Sequence, residues 1–464
     1  MQRVVVIGGG IAGLATAHAL LRRRPDLDLV LIEADHRLGG NIRTSVEEGF
    51  TLEWGVNGFL NNVPETLELV DDIGMTPELL PSNQAAARRF LFRGGRTWEI
   101  PLKPPSFFRS GLLSRRGRLR ILGEPFARPR PAGDETVFAF AARRIGPEAA
   151  RVMVDAMVSG VYAGDSRVLS LKSTFPRMEE MERIHGSLVK ALIARQRAAG
   201  RSGATPAGGP AGPAGALTSF RHGMESLVMR LGERIGPERI RLGRPVTEVE
   251  RGSNDAPYIV RSASGQFPCD YVVVAAPARH AARFLLSLDA PLARELEGIS
   301  YAGLAVVALA WDEADIDAAP DGFGFLVPRG EGLRILGCLW DSSVFPGRAP
   351  AGRVLVRAMI GGAQDPEAAG LPDEELLAVA LRDLEVSMGI SATPRLVRIY
   401  RHPLGIPQYL VGHADRLARI NNRLQALPGV ALAGNSYRGV AVNNCAKEAK
   451  ELGSRWAPYG VTSP

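Results

Sequence analysis

Three glycines at fixed spacing, Gly8-x-Gly10-x-x-Gly13, constrain this chain more than any other feature. They lie between an apolar run, Val4 to Ile7, and a segment of helical periodicity, Ile11 to Arg24. Such a pattern becomes informative when it leaves a strand and opens a helix. Gly8 then makes a tight turn, Gly10 lets the backbone approach a pyrophosphate, and Gly13 lets helix and strand pack closely. Phosphates meet unpaired N–H groups at the positive end of the helix. Leu29 to Glu33 reads as the next strand, and Glu33 lies where a carboxylate accepts hydrogen bonds from an adenosine ribose. The pattern predicts a βαβ unit and hence a parallel sheet. Residues 1–21 are read as its first strand and helix, not as a leader peptide.

Beyond this unit the grammar changes twice. From Glu135 to Gln196 apolar residues recur at helical spacing, which predicts an inserted helical unit. Gly200 to Gly215 holds six glycines, three prolines and no large apolar side chain, and is read as a flexible surface loop. Strand-like runs then return at 258–261, 271–275, 305–311, 325–327, 335–340 and 354–360, and their apolar character predicts a second sheet. Val430 to Ala433, Gly434-Asn435-Ser436 and a helix from about Asn443 repeat the strand-turn-helix order of the start.

Charge is concentrated in one place. Between Pro101 and Arg130 stand eight basic residues and one acid, matching the net charge of +7 of the whole chain. Phe107, Phe108, Leu112, Leu113, Leu119, Ile121, Leu122 and Phe126 are interleaved with them, a mixture suited to an anionic membrane surface or to a basic-flanked surface helix pair. No nucleic-acid-binding motif accompanies it. Cys269, Cys338 and Cys445 are far apart, which supports neither a disulfide framework nor a cysteine metal site. His222, His402 and His413 lack the spacing of a zinc site or a nucleophilic triad and are read as structural, and Cys445 as a buried small hydrophobe.

Several longer stretches carry a resemblance. Arg37-x-Gly39-Gly40-x-x-x-Thr44 resembles the second glycine motif of the flavin-containing amine oxidase superfamily, with Asn41 in place of the usual arginine and Arg43 two positions on. Residues 53–60, 160–176, 321–328, 406–413 and 432–445 are similar, in order, to segments of the bacterial, oxygen-dependent protoporphyrinogen oxidase family. The departures are Val56 and Gly58 in the first of these and Asn444 in the last, where the family has an aspartate.

That resemblance implies an α/β fold of amine oxidase and p-hydroxybenzoate hydroxylase type. A Rossmann-like FAD-binding domain would comprise residues 1–75, 216–290 and 425–464, and a β-sheet substrate domain residues 76–90 and 291–424. A helical, membrane-associating domain would comprise residues 91–199, with residues 200–215 as the loop. It implies non-covalent FAD held by Gly8, Gly9, Gly10, Ile11, Ala12, Gly13, Glu33, Ala34, Arg37, Gly39, Gly40, Asn41 and Arg43. Gly55, Val56, Asn57, Gly58, Val246, Asn435, Val440, Ala441 and Val442 would complete the cofactor site. A porphyrinogen would lose hydride to flavin N5 in three rounds, with O₂ as final acceptor, Asn57 beside the reacting carbon, and Lys103, Phe323, Gly324, Leu326, Leu339 and Met359 as substrate contacts. Aromatisation drives such chemistry, so few polar catalytic residues and no metal are expected. The implied location is cytoplasmic, peripheral on the inner membrane face; a homodimer is left open. An amine oxidase would place aromatic residues near the C-terminal glycine motif, where this chain has only Tyr437.

Overall fold

The computed structural model describes all residues except 1, 102–103, 131, 203–214, 254, 264 and 457–464. The opening unit is a strand β1 (Arg3–Ile7), a helix α1 (Ile11–Arg23) and a strand β2 (Asp28–Ile32), with β1 and β2 parallel and in register from Val4–Leu29 to Ile7–Ile32. Every residue of β1 after Arg3 is buried, as in a strand covered on both faces. Tyr271–Val274 pairs parallel with β1 on its other side, followed by Val430–Leu432, while Ile240–Arg241 flanks β2. The last helix, Val442–Trp456, packs along α1.

This arrangement divides the runs that the sequence pattern assigns together to a second sheet. Tyr271–Val274 belongs to the first, parallel sheet, and Ala256–Ser262 is the middle of a separate three-stranded meander. An uninterrupted buried apolar run does not specify its neighbour, so the pattern identifies these strands without assigning them to a sheet.

The second large sheet has seven strands. From one edge they are Leu396–Pro407, Tyr301–Asp312, Arg353–Gly361, Ile335–Leu339, Gly324–Leu326, Phe90–Arg93 and Arg96–Glu99. One face packs on the helix Asp373–Met388 through Val307, Leu309, Val356, Ala358, Leu376 and Leu384. The opposite face carries Val306, Ala308, Leu355 and Tyr400. The last two strands correct the boundary expected at residue 91: Phe90 to Glu99 is a hairpin of this sheet turning at Gly94-Gly95, and helices begin only at Pro104.

Candidate functional site

Three glycine-bearing segments meet at the start of α1. Gly39 pairs with Gly10 and donates its N–H to the Gly9 carbonyl at 2.8 Å, Gly40 is close enough that its Cβ would lie 3.5 Å from the Gly10 Cα, and a Cβ on Gly434 would lie 3.4 Å from Ala12. The first and third glycines of the opening motif are fixed by the protein itself: a Cβ on Gly13 would fall 1.9 Å from the Gly8 carbonyl oxygen, and one on Gly8 3.0 Å from that of Ala275. Gly10 differs, because a Cβ there meets nothing within 4 Å. Its backbone faces open space at a helix start with neither a side-chain cap nor a first-turn acid, a setting that suits an anionic phosphate.

Glu33 lies beside this opening. Its two oxygens accept the N–H groups of Gly9 at 2.5 Å and Asp35 at 2.8 Å, which fixes the carboxylate and leaves lone pairs for hydroxyl donors. The Arg244 N–H donates to the Glu33 carbonyl, bringing Val246 to the same edge, and Ala34 is exposed beside it. Arg37 serves the turn: its guanidinium donates to the carbonyls of Leu38 and Gly40 at 2.9 and 2.7 Å. Arg43 lies 3.7 Å above the Trp54 ring, and Trp54 stacks on Tyr400 at 4.4 Å.

The loop from Glu53 to Gly58 is tied at its start to the seven-stranded sheet. Arg357, fully buried, grips both oxygens of Asp341 at 2.6 and 2.8 Å and donates to the carbonyls of Glu53 at 2.7 Å and Gly55 at 3.3 Å. His402 Nε2 donates to the intervening Trp54 carbonyl at 2.8 Å, and burial lowers its pKa so that the ring stays neutral. Glu53 itself accepts from Thr44 at 2.7 Å, from the Met224 N–H at 2.8 Å, and pairs with Arg348 at 3.2 Å. Burial pushes the Glu53 carboxyl up and the Arg348 guanidinium down, each toward neutrality. On the loop held this way, both polar atoms of the Asn57 carboxamide are buried without a partner among the described residues. An orphaned amide is costly unless something binds it. Gly58 has a different reason: a Cβ there would lie 2.5 Å from the Thr218 carbonyl, so strand contact excludes a side chain.

Four expected substrate contacts share the face that carries Arg357. Gly324 pairs with Leu339 and Leu339 with Arg357; Leu326 pairs with Gly337 and Gly337 with Met359. Phe323 does not join them, because it precedes the strand and packs with Ala86, Val344 and Phe345. Lys103 lies outside the described residues. At the far end, Asn435 and Val440 to Val442 lead into the last helix. Asn444 Oδ1 accepts the Ala441 N–H at 3.3 Å, and Glu448 accepts the Gly434 N–H at 2.7 Å. Burial raises the Cys445 thiol to about 12, which leaves it inert.

One residue escaped the sequence reading. Arg89 precedes the strand Phe90–Arg93, and Leu91 turns toward Leu326 while Phe90 and Phe92 turn to the opposite core, so Arg89 shares the face of Leu91 and Leu326. The Phe323 N–H donates to the Arg88 carbonyl at 2.8 Å, which places Arg89 at the start of the strand Gly324–Leu326. Its guanidinium is half-buried, lies 5.0 Å from the Phe323 ring and has no carboxylate partner among the described residues; burial lowers its pKa. The hairpin signal of Gly94-Gly95 would have located the strand, but nothing local reveals an unpaired guanidinium.

A family model described as flavin containing amine oxidoreductase matches residues 11–451. The chain belongs to that family. This flavin amine oxidoreductase is an oxidoreductase of mixed α/β fold, and its cofactor is FAD. The open Gly10, the fixed Glu33 carboxylate and the partnerless Asn57 amide fit that cofactor. Over 487 residues it is 35% identical to human protoporphyrinogen oxidase, covering 97% of each chain. Over 465 residues it is 31% identical to coproporphyrinogen III oxidase of Bacillus subtilis, covering 97% of this chain and 96% of the relative. A crystal structure provisionally assigned as protoporphyrinogen oxidase from Exiguobacterium sp. 255-15 superposes with a TM-score of 0.84 at 28% identity, covering 99% of both chains.

Proposed function

We propose that this flavin amine oxidoreductase oxidises protoporphyrinogen IX to protoporphyrin IX, in tetrapyrrole biosynthesis. The observation that carries the reading is Arg89: a half-buried guanidinium with no carboxylate partner among the described residues, near the expected substrate contacts Gly324, Leu326, Leu339 and Met359. A tetrapyrrole macrocycle with apolar substituents along one edge and carboxylates along the other suits such a surface. Bound FAD would supply a two-electron acceptor for hydride, reoxidised by O₂ with release of H₂O₂, and three such rounds would give the porphyrin. The residues named above for the dinucleotide would hold it. The chain's own part is positional: Leu326, Leu339 and Met359 exclude water from one ring face, Arg89 fixes the register through a propionate, and the Asn57 carbonyl accepts a pyrrole N–H near the carbon that loses hydride. The pyrrole proton passes to water, so no dedicated base is needed.

Coproporphyrinogen III is a second reading, favoured by the near full-length similarity to the Bacillus subtilis relative. The test is kcat/KM for the two porphyrinogens beside tyramine and spermine. A preference of about tenfold or more for protoporphyrinogen IX supports the proposal. The reverse preference moves it to coproporphyrinogen III, and turnover of the amines alone ends it.

A lipid-facing surface belongs to the same reading. Phe126, Leu119 and Leu122 are 90%, 65% and 57% exposed, beside exposed Arg115, Arg116 and Arg128. Other arginines of the segment serve the fold: Arg118 donates to the Phe108 and Ser110 carbonyls, Arg120 to those of Arg143 and Arg144, and Arg130 pairs with Glu179. Among the described residues no helix is long and apolar enough to cross a membrane. Co-flotation with anionic but not neutral vesicles is expected; none with either contradicts a membrane role.

A further inference from the structure

The segment Ile406 to His413 contributes no residue to the wall or to the proposed flavin contacts, yet it joins two parts of the molecule. It leaves the strand Leu396–Pro407 and enters the helix His413–Gln425. On one side it is bonded to the helical unit: Gln408 Nε2 donates to the Tyr162 carbonyl at 2.8 Å, the Ser170 N–H to the Tyr409 carbonyl at 2.8 Å, and the Val411 N–H to the Val168 carbonyl at 3.1 Å. On the other it is bonded to the loop that precedes the last helix. The Tyr409 hydroxyl donates to the Asn435 carbonyl and accepts the Gly439 N–H at 2.8 Å. His413 Nε2 donates to the Tyr437 carbonyl at 3.0 Å.

Two side chains therefore fix backbone groups at three alternate positions of one loop. Tyr409 and His413 are 0% and 4% exposed and stack at 4.4 Å with an interplanar angle of 20°, so neither can turn away without opening the core. The loop has freedom to lose: Gly434 and Gly439 hold φ of +111° and +112°, and only hydrogen bonds keep glycine in one basin. Val440 to Val442 follow directly and start the helix Val442–Trp456.

We infer that Tyr409, braced by His413, is a positioning residue for the flavin: its hydroxyl sets the 435–439 loop and with it the placing of Val440 to Val442 against the cofactor. This rests on the reading of that loop as a flavin contact. Tyr409→Phe in the full-length protein keeps the ring, the stacking and the burial, and leaves the Asn435 carbonyl and the Gly439 N–H without a partner. FAD titrated into the apoprotein should bind on the order of tenfold more weakly. At saturating FAD the flavin midpoint potential should shift and kcat should fall, with KM for the porphyrinogen unchanged. A purely structural hydroxyl would lower the unfolding temperature and leave the potential of the FAD-saturated enzyme alone. His413→Leu, which removes the bond to Tyr437 and the ring stacked on Tyr409 but leaves the Tyr409 hydroxyl its two partners, should move the same readouts less and serves where Tyr409→Phe does not accumulate. Val440→Arg separates the two claims. If it loses FAD while Tyr409→Phe keeps wild-type affinity, potential and kcat, the positioning role is overturned and the flavin reading stands. If both variants behave as wild type, the flavin reading of the loop falls with it.

Discussion

Arg357 is where the seven-stranded sheet holds the loop that carries Asn57, so replacing it tests how the two halves of the site are joined. Arg357→Met keeps an unbranched apolar stem and removes the charge. Asp341, itself 2% exposed, then becomes a buried carboxylate without its cation. Breaking such a pair costs about 3–5 kcal/mol, and the carbonyls of Glu53 and Gly55 lose a charged donor worth about 1 kcal/mol more. For 464 residues the unfolding entropy is on the order of 1 kcal/mol per degree, so the unfolding midpoint should fall by about 5 °C. Removing both charges with Arg357→Met and Asp341→Leu should recover more than half of that loss, because an apolar pair of similar volume is often as stable as a buried ion pair. Thermal unfolding of the wild type, both single variants and the double variant closes the cycle. A single variant that melts within about 1 °C of wild type, or a double variant whose loss equals the sum of the singles, would refute the argument.

Three other perturbations have expected outcomes. Gly10→Ala and Gly13→Ala should part company: the first meets no protein atom and should weaken FAD binding while the apoprotein melts as before, whereas the second meets the Gly8 carbonyl at 1.9 Å and should lower apoprotein stability itself; equal melting losses contradict this. Arg89→Met should raise KM for the porphyrinogen by on the order of tenfold with FAD affinity unchanged, and an unaltered KM removes Arg89 from the substrate site. Burial lowers the His18 pKa from 6.5 to about 4, so the unfolded chain takes up a proton below 6.5 and the folded one only near 4. Stability present above pH 6.5 is therefore lost as the pH falls toward 4, by up to about 3 kcal/mol. Unfolding of His18→Leu should depend less on pH than that of wild type between about pH 7 and about pH 5; an unchanged dependence excludes His18 as the cause.

Local physics decided what could be read from the sequence. The βαβ start was legible because strand, glycines, helix and acid lie within 33 residues and each constrains the next. Gly324, Leu326, Leu339 and Met359 are expected substrate contacts only through resemblance, since a leucine or methionine in a strand looks like any core residue. Gly94-Gly95 marks the 90–99 hairpin, whereas the boundary at residue 91 that the resemblance implies passes through it. Arg357 and Asp341 stand 16 residues apart and Arg357 and Glu53 304 apart, so no pattern could pair them. The charge of the 101–130 segment overstated its exposed positive surface, because Arg118, Arg120 and Arg130 turn inward to carbonyls and to Glu179. Nothing in the sequence shows the feature that makes Asn57 informative, a buried amide without a partner among the described residues.

On the proposed function, FAD held at these glycines takes electrons from a porphyrinogen lying on the sheet face beside Asn57. Anaerobic mixing of the FAD-saturated protein with protoporphyrinogen IX tests it most directly. The visible flavin absorption should bleach within one turnover, return on admitting air, and bleach far more slowly in Arg89→Met. Flavin that stays bound and yellow in the presence of excess porphyrinogen would contradict it.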